Sequence, residues 1–392
     1  MKNTPDPAAA DDRPDPSPAS PAGGPPPFRT SKPDAALRRI AAELPALLSG
    51  VSIARAHIVA EQWMTALKSR QGQSVVPLLV TGSESGPATA RDPIAAAAVA
   101  LHPPGTDAAT LLFVFVDSQN FGDRIGELTR HLAGELQSHL SPRGVRFVQW
   151  ASDPVRRDEA AGDAATDDST KVLADHLGFA PLGELQYLNL DDLPAAAASP
   201  DRLLAVAIGQ DESAGGEDAG DLRDLDDFAG LVQRTYQDSL DCPGFAEFRT
   251  ARQLLDSYQQ SPTYCSDGWH RVHRADSPTG GRTDSTKSTP TRPLTSPPPS
   301  AAVGALILAL HDHADASSVA ELTYMGITPE HRGSGLGGDL LNLAIRWAAD
   351  RGCGRLVLAV DVDNRPAVDL YVGRGFRPVF RESVWGRKIQ NP

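Results

Sequence analysis

The chain has 392 residues, and its 50 acidic and 37 basic side chains give a formal net charge of −13. The length allows two or three domains, and the acidic balance disfavours general binding to nucleic acid or to an anionic membrane. Three widely spaced cysteines indicate neither a disulfide framework nor a metal site, and because no apolar run reaches the ~20 residues of a membrane span, we expect a cytoplasmic protein.

Three segments have compositions typical of disordered chain. Residues 1–33 are rich in Pro, Ala, Asp and Gly, and such a tail cannot bury enough apolar surface to offset the entropy of ordering. Segments near 209–226 and 275–300 are predicted to be flexible insertions for the same reason. This divides the chain into a tail, a first domain at 34–192 and a second domain at 193–392.

Helical and strand periodicities alternate between these segments. The first half is predicted to contain helices at 34–48 and 52–68, strands at 75–80, 95–102 and 110–116, a helix at 123–140, a strand at 145–151, a helix at 170–177 and a strand at 183–190. The second half is predicted to contain a strand at 203–208, helices at 227–240 and 250–259, strands at 269–274, 303–310 and 321–327, a helix at 339–351, a strand at 356–362, a helix at 366–374 and a strand at 377–385. The order repeats, which favours an α/β fold with two similar halves.

The repeat also appears in individual residues. "LADHLGFAPLG" from Leu173 and "LYVGRGFRPVF" from Leu370 share a Gly-Phe pair and a proline at the same offsets. An "RG" pair, Arg143-Gly144 and Arg351-Gly352, ends the preceding helix in each half. We interpret this as an internal duplication, the alternative being chance recurrence of helix-Gly-Phe-strand endings.

The stretch "MGITPEHRGSGLGGDLLNLAI", residues 325–345, joins a predicted strand to a predicted helix. Gly333, Gly335 and Gly338 satisfy the G-x-G-x-x-G dinucleotide fingerprint. Five residues, Thr328 to Arg332, separate the strand from the first glycine, and only 31 residues follow the candidate ribose ligand Asp361. A P-loop would need a Lys-Ser or Lys-Thr pair after the glycines. Both nucleotide interpretations are therefore disfavoured.

A pyrophosphate seat fits the same residues better. Glycines allow close approach of the backbone to an anion, and the N–H groups of a helix that begins near Gly337 attract negative charge. Arg332 can add charge-assisted hydrogen bonds. The alternative is an ordinary glycine-rich turn beside a surface arginine.

The segment "ITPEHRGSGLGGDLL", with the spacing R-x-x-G-x-G, resembles the acyl-coenzyme A loop of the GNAT acyltransferase superfamily. "DNRPAVDLYVGRGF", from Asp363, is similar to a second motif of that superfamily. Together the two motifs lie in about the last 75 residues, and the duplicated plan resembles tandem GNAT proteins of the mycothiol synthase type. The implied fold is a mixed α/β sheet in two tandem GNAT-like domains.

The resemblance implies acetyl-coenzyme A as the acyl donor, with its pantetheine arm where the sheet splays at the strand ending in Ile327. It further implies an oxyanion-binding N–H near Met325 to Ile327, where "YMGI" is compatible with a β-bulge. The implied donor-binding residues are Met325, Gly326, Ile327, Arg332, Gly333, Ser334, Gly335, Leu336, Gly337, Gly338 and Asn364.

Acyl transfer to an amine needs a proton acceptor and a proton donor. Glu321 matches the position of the family's base glutamate, and because a carboxylate is a weak base for an ammonium it needs a raised pKa or a water intermediary. Tyr371 matches the acid that protonates the departing thiolate. The alternatives are a strand-end carboxylate for Glu321 and a core tyrosine for Tyr371.

The first half departs from the motif. Phe121 and Arg124 replace Arg332 and Gly335, Gly126 alone corresponds to Gly337, and Ala174 replaces Tyr371. We therefore predict a degenerate, non-catalytic copy that packs against the active one.

The acceptor site is predicted in "TYQDSLDCPGFAEFR", residues 235–249, with Thr235, Asp238, Asp241 and Arg249 as binding residues. Ordinary turn chemistry is the alternative for this run. Cys242 is interpreted as a buried thiol and not as an acyl relay.

The predicted function is N-acetyl transfer to a small-molecule or peptide amine. The alternative from another class is a non-catalytic protein that binds coenzyme A or uses the fold structurally. The sequence leaves the acceptor, the acyl length and the oligomeric state open.

Overall fold

The computed structural model of the protein describes residues 28–68, 74–82, 92–153, 169–193, 202–208, 217–261, 263–275, 301–311 and 318–390. The strands in these ranges are β1 (Phe28–Thr30), β2 (Ser74–Gly82), β3 (Ile94–His102), β4 (Ala108–Val116), β5 (Phe147–Ser152), β6 (Ala180–Asp191), β7 (Leu203–Ala207), β8 (Trp269–Arg274), β9 (Gly304–His311), β10 (Val319–Ile327), β11 (Arg355–Asp361) and β12 (Arg377–Lys388). The helices there are α1 (Pro33–Leu47), α2 (Ile53–Lys68), α3 (Ser118–Phe121), α4 (Ile125–Leu140), α5 (Ser169–His176), α6 (Glu217–Thr235), α7 (Ala251–Gln259), α8 (Leu336–Asp350) and α9 (Arg365–Gly373).

Two segments that were expected to be disordered are partly ordered. Phe28–Thr30 pairs with β2, and the Phe28 ring is buried against Phe121 with 5.8 Å between ring centroids. Residues 217–226 belong to α6, which buries Leu225 and Phe228 at helical spacing. The rest of the predicted tail, 1–27, and the predicted insertions at 209–216 and 276–300 lie outside the described residues.

The described strands form one mixed sheet in the order β1-β2-β3-β4-β5-β12-β6-β11-β10-β9-β8-β7. β5 pairs in parallel with β4, and β11 pairs in parallel with β10. The next neighbour of β5 is β12, from the second half, and the next neighbour of β11 is β6, from the first half. The two halves therefore exchange their last strands, and each half of the sheet continues into a strand of the other.

The internal duplication is visible in the hydrogen bonds that end equivalent helices. Gly178 and Gly375 have φ of +76° and +91°, values that favour glycine. The N–H of the following phenylalanine bonds back to the helix in each copy, Phe179 to Ala174 O at 2.9 Å and Phe376 to Tyr371 O at 3.1 Å. The prediction of two similar α/β halves is confirmed.

Helices cover both faces of the sheet in each half. In the first half, α4 and α5 pack on one face and α1 and α2 on the other. In the second half, α8 and α9 pack on one face, and α6 and α7 pack on the opposite face. None of the helices in the described ranges is both long and apolar enough to cross a bilayer.

The exchanged strand β12 contributes a core residue to the first half. Trp385 is buried, lies 6.2 Å from Trp150 between ring centroids, and donates from Nε1 to Ser152 Oγ at 2.9 Å. We expect Trp385→Ala to lower the free energy of unfolding by ~3–5 kcal/mol, because it removes a buried aromatic ring. Urea denaturation followed by circular dichroism measures this change.

The matched control on the same strand is Val379→Ala, since Val379 is 59% exposed. This change is expected to stay within ~0.5 kcal/mol of the parent. Equal stability of the two variants would contradict the placement of β12 in the core of the first half.

Candidate active site

The central feature of the second half is a gap between β10 and β11. Parallel pairing runs from Val319 opposite Arg355 to Leu322 opposite Leu358, and it ends there. An extra residue, Thr323, shifts the register of β10 against β9, and such a bulge bends a strand and increases its twist. The bulge was expected at "YMGI", but it lies at Thr323, just before that stretch. The strands diverge beyond it, as the sequence resemblance implied.

The loop after β10 leads into α8 through two left-handed glycines. Gly333 has φ of +72° and Gly335, at the N-cap of α8, has φ of +81°, conformations that are strained for residues with a Cβ. The N–H groups of the first residues of a helix have no partners within it, and in the first turn of α8 the Gly338 N–H donates to the carbonyl of the N-cap Gly335 at 3.1 Å. A Cβ at Gly337 would meet only Leu370 Cδ2, at 3.6 Å. Packing therefore does not require a glycine at 337, and the lack of a side chain there leaves the helix start accessible to a ligand.

Arg332 does not point at this helix start. Its guanidinium donates from Nη2 to Thr235 O at 2.8 Å, from Nη1 to Asp238 O at 3.1 Å and from Nε to Ile327 O at 3.1 Å. The carbonyls at the end of α6 take its donors, and the contact of Arg332 with a phosphate stays a prediction. Arg332 instead ties α6 to the end of β10.

Two other arginines, which sequence reasoning missed, flank the start of α8. Arg202 donates from Nη1 to Ser334 O at 3.2 Å and forms an ion pair with Asp339. Arg374 bonds to Asn342, and its Nη2 lies 2.9 Å from the position of a Cβ on Gly338. Arg374 stands in the "GRGF" of the second motif, so that motif could have indicated it. Arg202 is 132 residues from Ser334 in sequence, and local sequence gives no indication of this contact.

The other predicted donor-binding residues have structural roles at the gap. Met325 and Ile327 pack against the core beneath α8. A Cβ on Gly326 would lie 2.7 Å from both Thr235 Oγ1 and Tyr324 Oη, so α6 can approach β10 only at a glycine. Asn364 is the N-cap of α9 and accepts from Ala367 N at 3.4 Å.

Tyr371 is buried on α9, with its ring 5.7 Å from that of Phe376 between centroids. Burial, with smaller contributions from the charges of Asp241 and Tyr324, raises the pKa of the Tyr371 phenol above its usual value. The phenol therefore carries its proton at neutral pH and can act as a proton donor.

Glu321 lies on the opposite face of the sheet from Tyr371. Its neighbours Ala320 and Leu322 face α8 and α9, so alternation along β10 turns Glu321 toward the side of α6 and α7. His311 Nε2 lies 2.7 Å from Glu321 Oε2. A single bound molecule can therefore contact both predicted catalytic residues only if it extends through the gap between β10 and β11.

Residues 235–242 span the mouth of the gap. Predicted helix 227–240 ends at Thr235, and the chain then turns, with Asp238 and Cys242 at φ of +53° and +43°. Thr235 Oγ1 is 2.6 Å from Tyr324 Oη on one side of the gap. On the other side, Asp241 Oδ1 accepts from Asp361 N at 3.0 Å, and Cys242 N donates to Asp361 Oδ2 at 3.1 Å.

The predicted acceptor residues are therefore only partly together. Thr235, Asp238 and Asp241 lie at the gap, but the Asp241 carboxyl is committed to β11. Arg249 lies apart from them, 3.7 Å from Asp107 of the first half and bonded to Gln253 O at 2.6 Å. Burial raises the pKa of the Cys242 thiol far above its usual value, which supports a structural cysteine.

The first half has a matching gap with a different helix start. Pairing of β4 with β5 ends at Leu111 and Trp150, and residues beyond this point line a cavity of about 1260 Å³. Asp117 Oδ1 accepts from Gln119 N at 3.1 Å and Asn120 N at 3.0 Å. Asp117 therefore caps α3, the short helix that precedes α4, whereas the start of α4 is the position that corresponds to the start of α8.

Residues 297–376 match the family model described as "Acetyltransferase (GNAT) family". This range contains β9, β10, α8, β11 and α9, which together form the gap, the glycine loop and the Tyr371 site. Residues 297–376 are therefore similar to the GNAT family, and the described part of the chain folds as two similar α/β halves.

Among curated proteins, the chain is 33% identical over 73 residues to the mycothiol acetyltransferase of Corynebacterium aurimucosum, which is 19% of this chain and 24% of that protein. It is 39% identical over 69 residues to the mycothiol acetyltransferase of Catenulispora acidiphila, covering 17% and 22% of the two chains. The chain thus spans about a quarter of the length of these relatives.

Among solved structures, a GCN5-related N-acetyltransferase from Sphaerobacter thermophilus is 20% identical with a TM-score of 0.47, covering 93% of this chain and 96% of the other. A tandem GNAT protein from the clavulanic acid biosynthesis pathway is 13% identical with a TM-score of 0.45, covering 93% and 100%.

The loop residues fit the diphosphate of an acyl-coenzyme A. A Cβ on Gly333 would meet no atom within 4 Å, so the loop has open space on its outer side. The N–H groups of Leu336 and Gly337 at the start of α8, with Arg202 and Arg374 beside the same helix start, can supply the donors and positive charge that a diphosphate requires.

The buried carboxyl of Asp241 gives the gap a pH dependence. Burial raises its pKa, against a smaller opposite effect of the Asp361 N–H. A raised pKa stabilises the fold below the pKa of the unfolded chain, and this contribution is lost as pH rises through the folded pKa. We therefore expect the stability of the wild type relative to Asp241→Asn to be lower at about pH 7.5 than at about pH 4.5.

Urea denaturation at the two pH values measures this difference, and Asp238→Asn in the same turn, on an exposed side chain, is the matched control. A pH-independent difference between wild type and Asp241→Asn would contradict the burial of this carboxyl.

Proposed function

We propose that the C-terminal half transfers an acetyl group from acetyl-coenzyme A to a primary amine. The observation that carries the proposal is the position of Tyr371 and Glu321 on opposite faces of the sheet, beside a gap that ends in a glycine loop at a helix N-terminus. A donor lying in the gap and an acceptor approaching from the α6 and α7 side would meet both residues.

When bound, acetyl-coenzyme A supplies an acetyl group activated as a thioester. The chain's part on the donor side is to hold the diphosphate at the N–H groups of Leu336 and Gly337, with positive charge from Arg202 and Arg374. Arg332 acts on the same site indirectly, because it fixes the end of α6 against β10. In this proposal Arg332 acts indirectly, whereas the family motif implies that it contacts the diphosphate directly.

Glu321 accepts a proton from the acceptor ammonium, directly or through water, so that the amine nitrogen has a free electron pair. Tyr371 donates its phenolic proton to the departing sulfur. The phenol carries its proton at neutral pH, as this role requires, while burial, which raises its pKa, makes it a weaker acid than a free phenol.

The acceptor is proposed at the level of a small-molecule or peptide amine. The relatives are named as mycothiol acetyltransferases, but α6, α7 and β6, which face Glu321, lie outside the range 297–376 that matches the family. The similarity to the family therefore bears on the donor side. The three free cysteines are in keeping with a protein that works in the reduced cytoplasm.

Calorimetric titration with acetyl-coenzyme A tests the donor site. We expect one molecule per chain, and at least ~10-fold weaker binding in Gly337→Glu, because a carboxylate would repel the diphosphate at the helix start. The neighbour at this position is an ordinary contact at 3.6 Å, so the variant should fold.

The matched control is Gly126→Glu at the corresponding position of the first half, where a Cβ would meet no atom within 4 Å. It is expected to bind acetyl-coenzyme A like the wild type. Two molecules per chain, or equal effects of the two variants, would contradict a single donor site in the second half.

Release of free thiol from acetyl-coenzyme A over a panel of primary amines tests turnover. With an amine that reacts, Tyr371→Phe is expected to lower kcat by ~10²–10⁴-fold, because it removes the proton donor. The KM for acetyl-coenzyme A should change little.

Tyr264→Phe is the matched control, since Tyr264 packs edge-on against Trp269 at 5.5 Å and lies outside the gap. Full turnover in Tyr371→Phe would remove this residue from the mechanism. Binding without thiol release from the wild type is the outcome expected of a non-catalytic coenzyme A-binding protein.

A further inference from the structure

Arg249, just before the start of α7, is a cation that is almost wholly buried. Its side chain is 8% exposed, and its Nε has no hydrogen-bond partner among the described residues. The guanidinium donates from Nη2 to Gln253 O at 2.6 Å and to Ser257 Oγ, so it lies along the first turns of α7. A buried cation needs an anion nearby, and Asp107 Oδ1 of the first half lies 3.7 Å from Arg249 Nη2.

Asp107 is fixed in the first half and also contacts the residue that caps α7. Its carbonyl accepts from Arg146 N at 2.7 Å and from Phe147 N at 3.1 Å, which holds it against the start of β5. Its Oδ2 accepts from Gln253 Nε2 at 2.6 Å. Oε1 of the same Gln253 accepts from Thr250 N at 2.9 Å and closes the capping box that begins α7. One carboxylate therefore contacts both the cation before α7 and the cap of that helix.

Tyr258, in the last turn of α7, connects these contacts to the acceptor side of the gap. Burial raises the pKa of the Tyr258 phenol, the charge of Glu321 raises this pKa further, and the charge of Arg249 lowers it. The phenol therefore lies within electrostatic reach of both residues. Tyr258 also packs against the apolar cluster that joins α6 and α7 to the sheet. A displacement of α7 would therefore move the part of the molecule that faces Glu321.

We propose that Asp107 is a positioning residue through which the first half fixes α7 and with it the acceptor side of the site. The inference rests on the proposed acetyl transfer. It gives the first half a role in acceptor binding that requires no donor site of its own. The glycine loop, α8 and α9 lie on the other face of the sheet, so the donor side does not depend on this set of contacts.

Steady-state kinetics test this role with an amine that the wild type acetylates. Asp107→Asn keeps an oxygen that accepts from Gln253 but removes the charge beside Arg249. We expect kcat/KM for the amine to fall ~10-fold or more, because a small displacement far from the chemistry misplaces the reacting groups. The KM for acetyl-coenzyme A should stay unchanged. An unchanged kcat/KM for the amine, or an equal effect on the KM for acetyl-coenzyme A, overturns the proposal.

The matched control is Glu43→Gln. Glu43 forms an ion pair with Arg39 at 2.9 Å within α1, so the change also removes one paired carboxylate from the first half. It leaves the contacts of α7 intact, and both kinetic constants are expected to match those of the wild type.

A second variant, Arg249→Met, separates the charge pair from loss of folding. It leaves no buried cation, and the Asp107 side chain, which is 26% exposed, stays in contact with water. We expect kcat/KM for the amine to fall in this variant too. The loss in the double variant Asp107→Asn, Arg249→Met should be smaller than the product of the two single losses, because removal of both charges leaves neither one unpaired. Independent losses overturn the proposal.

Hydrogen exchange tests the hold on α7 without any acceptor. Mass spectrometry follows the exchange of amides in peptides from α7 and α8 in the wild type, Asp107→Asn and Glu43→Gln. We expect the α7 peptides of Asp107→Asn to exchange ~10-fold faster or more, with α8 unchanged, because a local opening releases only the element that has lost its contacts. Unchanged exchange in α7, or equal acceleration in α7 and α8, overturns the proposal.

The two proposals fail in different ways. Absence of thiol release from the wild type overturns the proposed function. The exchange experiment then still decides whether Asp107 fixes α7, because it does not depend on turnover.

Discussion

The site depends on the point where β10 and β11 stop pairing. Thr323 is an extra residue of β10 that has no partner in β9, so β10 bends away after Leu322. β11 keeps its regular pairing with β6. Backbone groups that lose a strand partner need another one, and the gap is therefore a place for a ligand or for bridging side chains. The Thr323 hydroxyl, buried without a hydrogen-bond partner among the described residues, lies at the origin of this gap.

The turn after α6 shows how the chain itself bridges the gap. Asp238 and Cys242 adopt positive φ angles, which cost energy for residues with a Cβ. Arg332 holds one end of the turn through the Asp238 carbonyl, and Asp361 holds the other through the Cys242 N–H. The residues of this turn that were predicted to bind the acceptor therefore also have a structural role, because they hold the two sides of the gap at a fixed distance.

Much of the fold could be predicted because its helices and strands have periodicities that are visible in the local sequence. The predicted helix at 339–351 is observed as α8, Leu336–Asp350, and the predicted strand at 269–274 is observed as β8. The glycine loop was predictable for the same reason. The end of α6 was not, since residues 236–240 have helical spacing but are drawn into the turn by contacts with β10 and β11.

The site residues that were missed all depend on long-range pairing. His311 meets Glu321 only through the antiparallel register of β9 and β10, and Arg202 reaches Ser334 from the turn before β7. The family motif implies that Arg332 contacts a phosphate. In the structure its guanidinium donates instead to the carbonyls of Thr235 and Asp238. In the first half, the substitution of Ala174 for Tyr371 could be read from the sequence, but the short helix α3 capped by Asp117 could not.

The exchange of β6 and β12 has a consequence for how the molecule is made. Because β12, residues 377–388, is the strand beside β5, the first half to leave the ribosome cannot complete its sheet until nearly the last part of this sequence has been translated. Until then β5 presents an unpaired edge, which is a template for aggregation. The second half is therefore a folding partner of the first half as well as the part of the chain that carries the glycine loop.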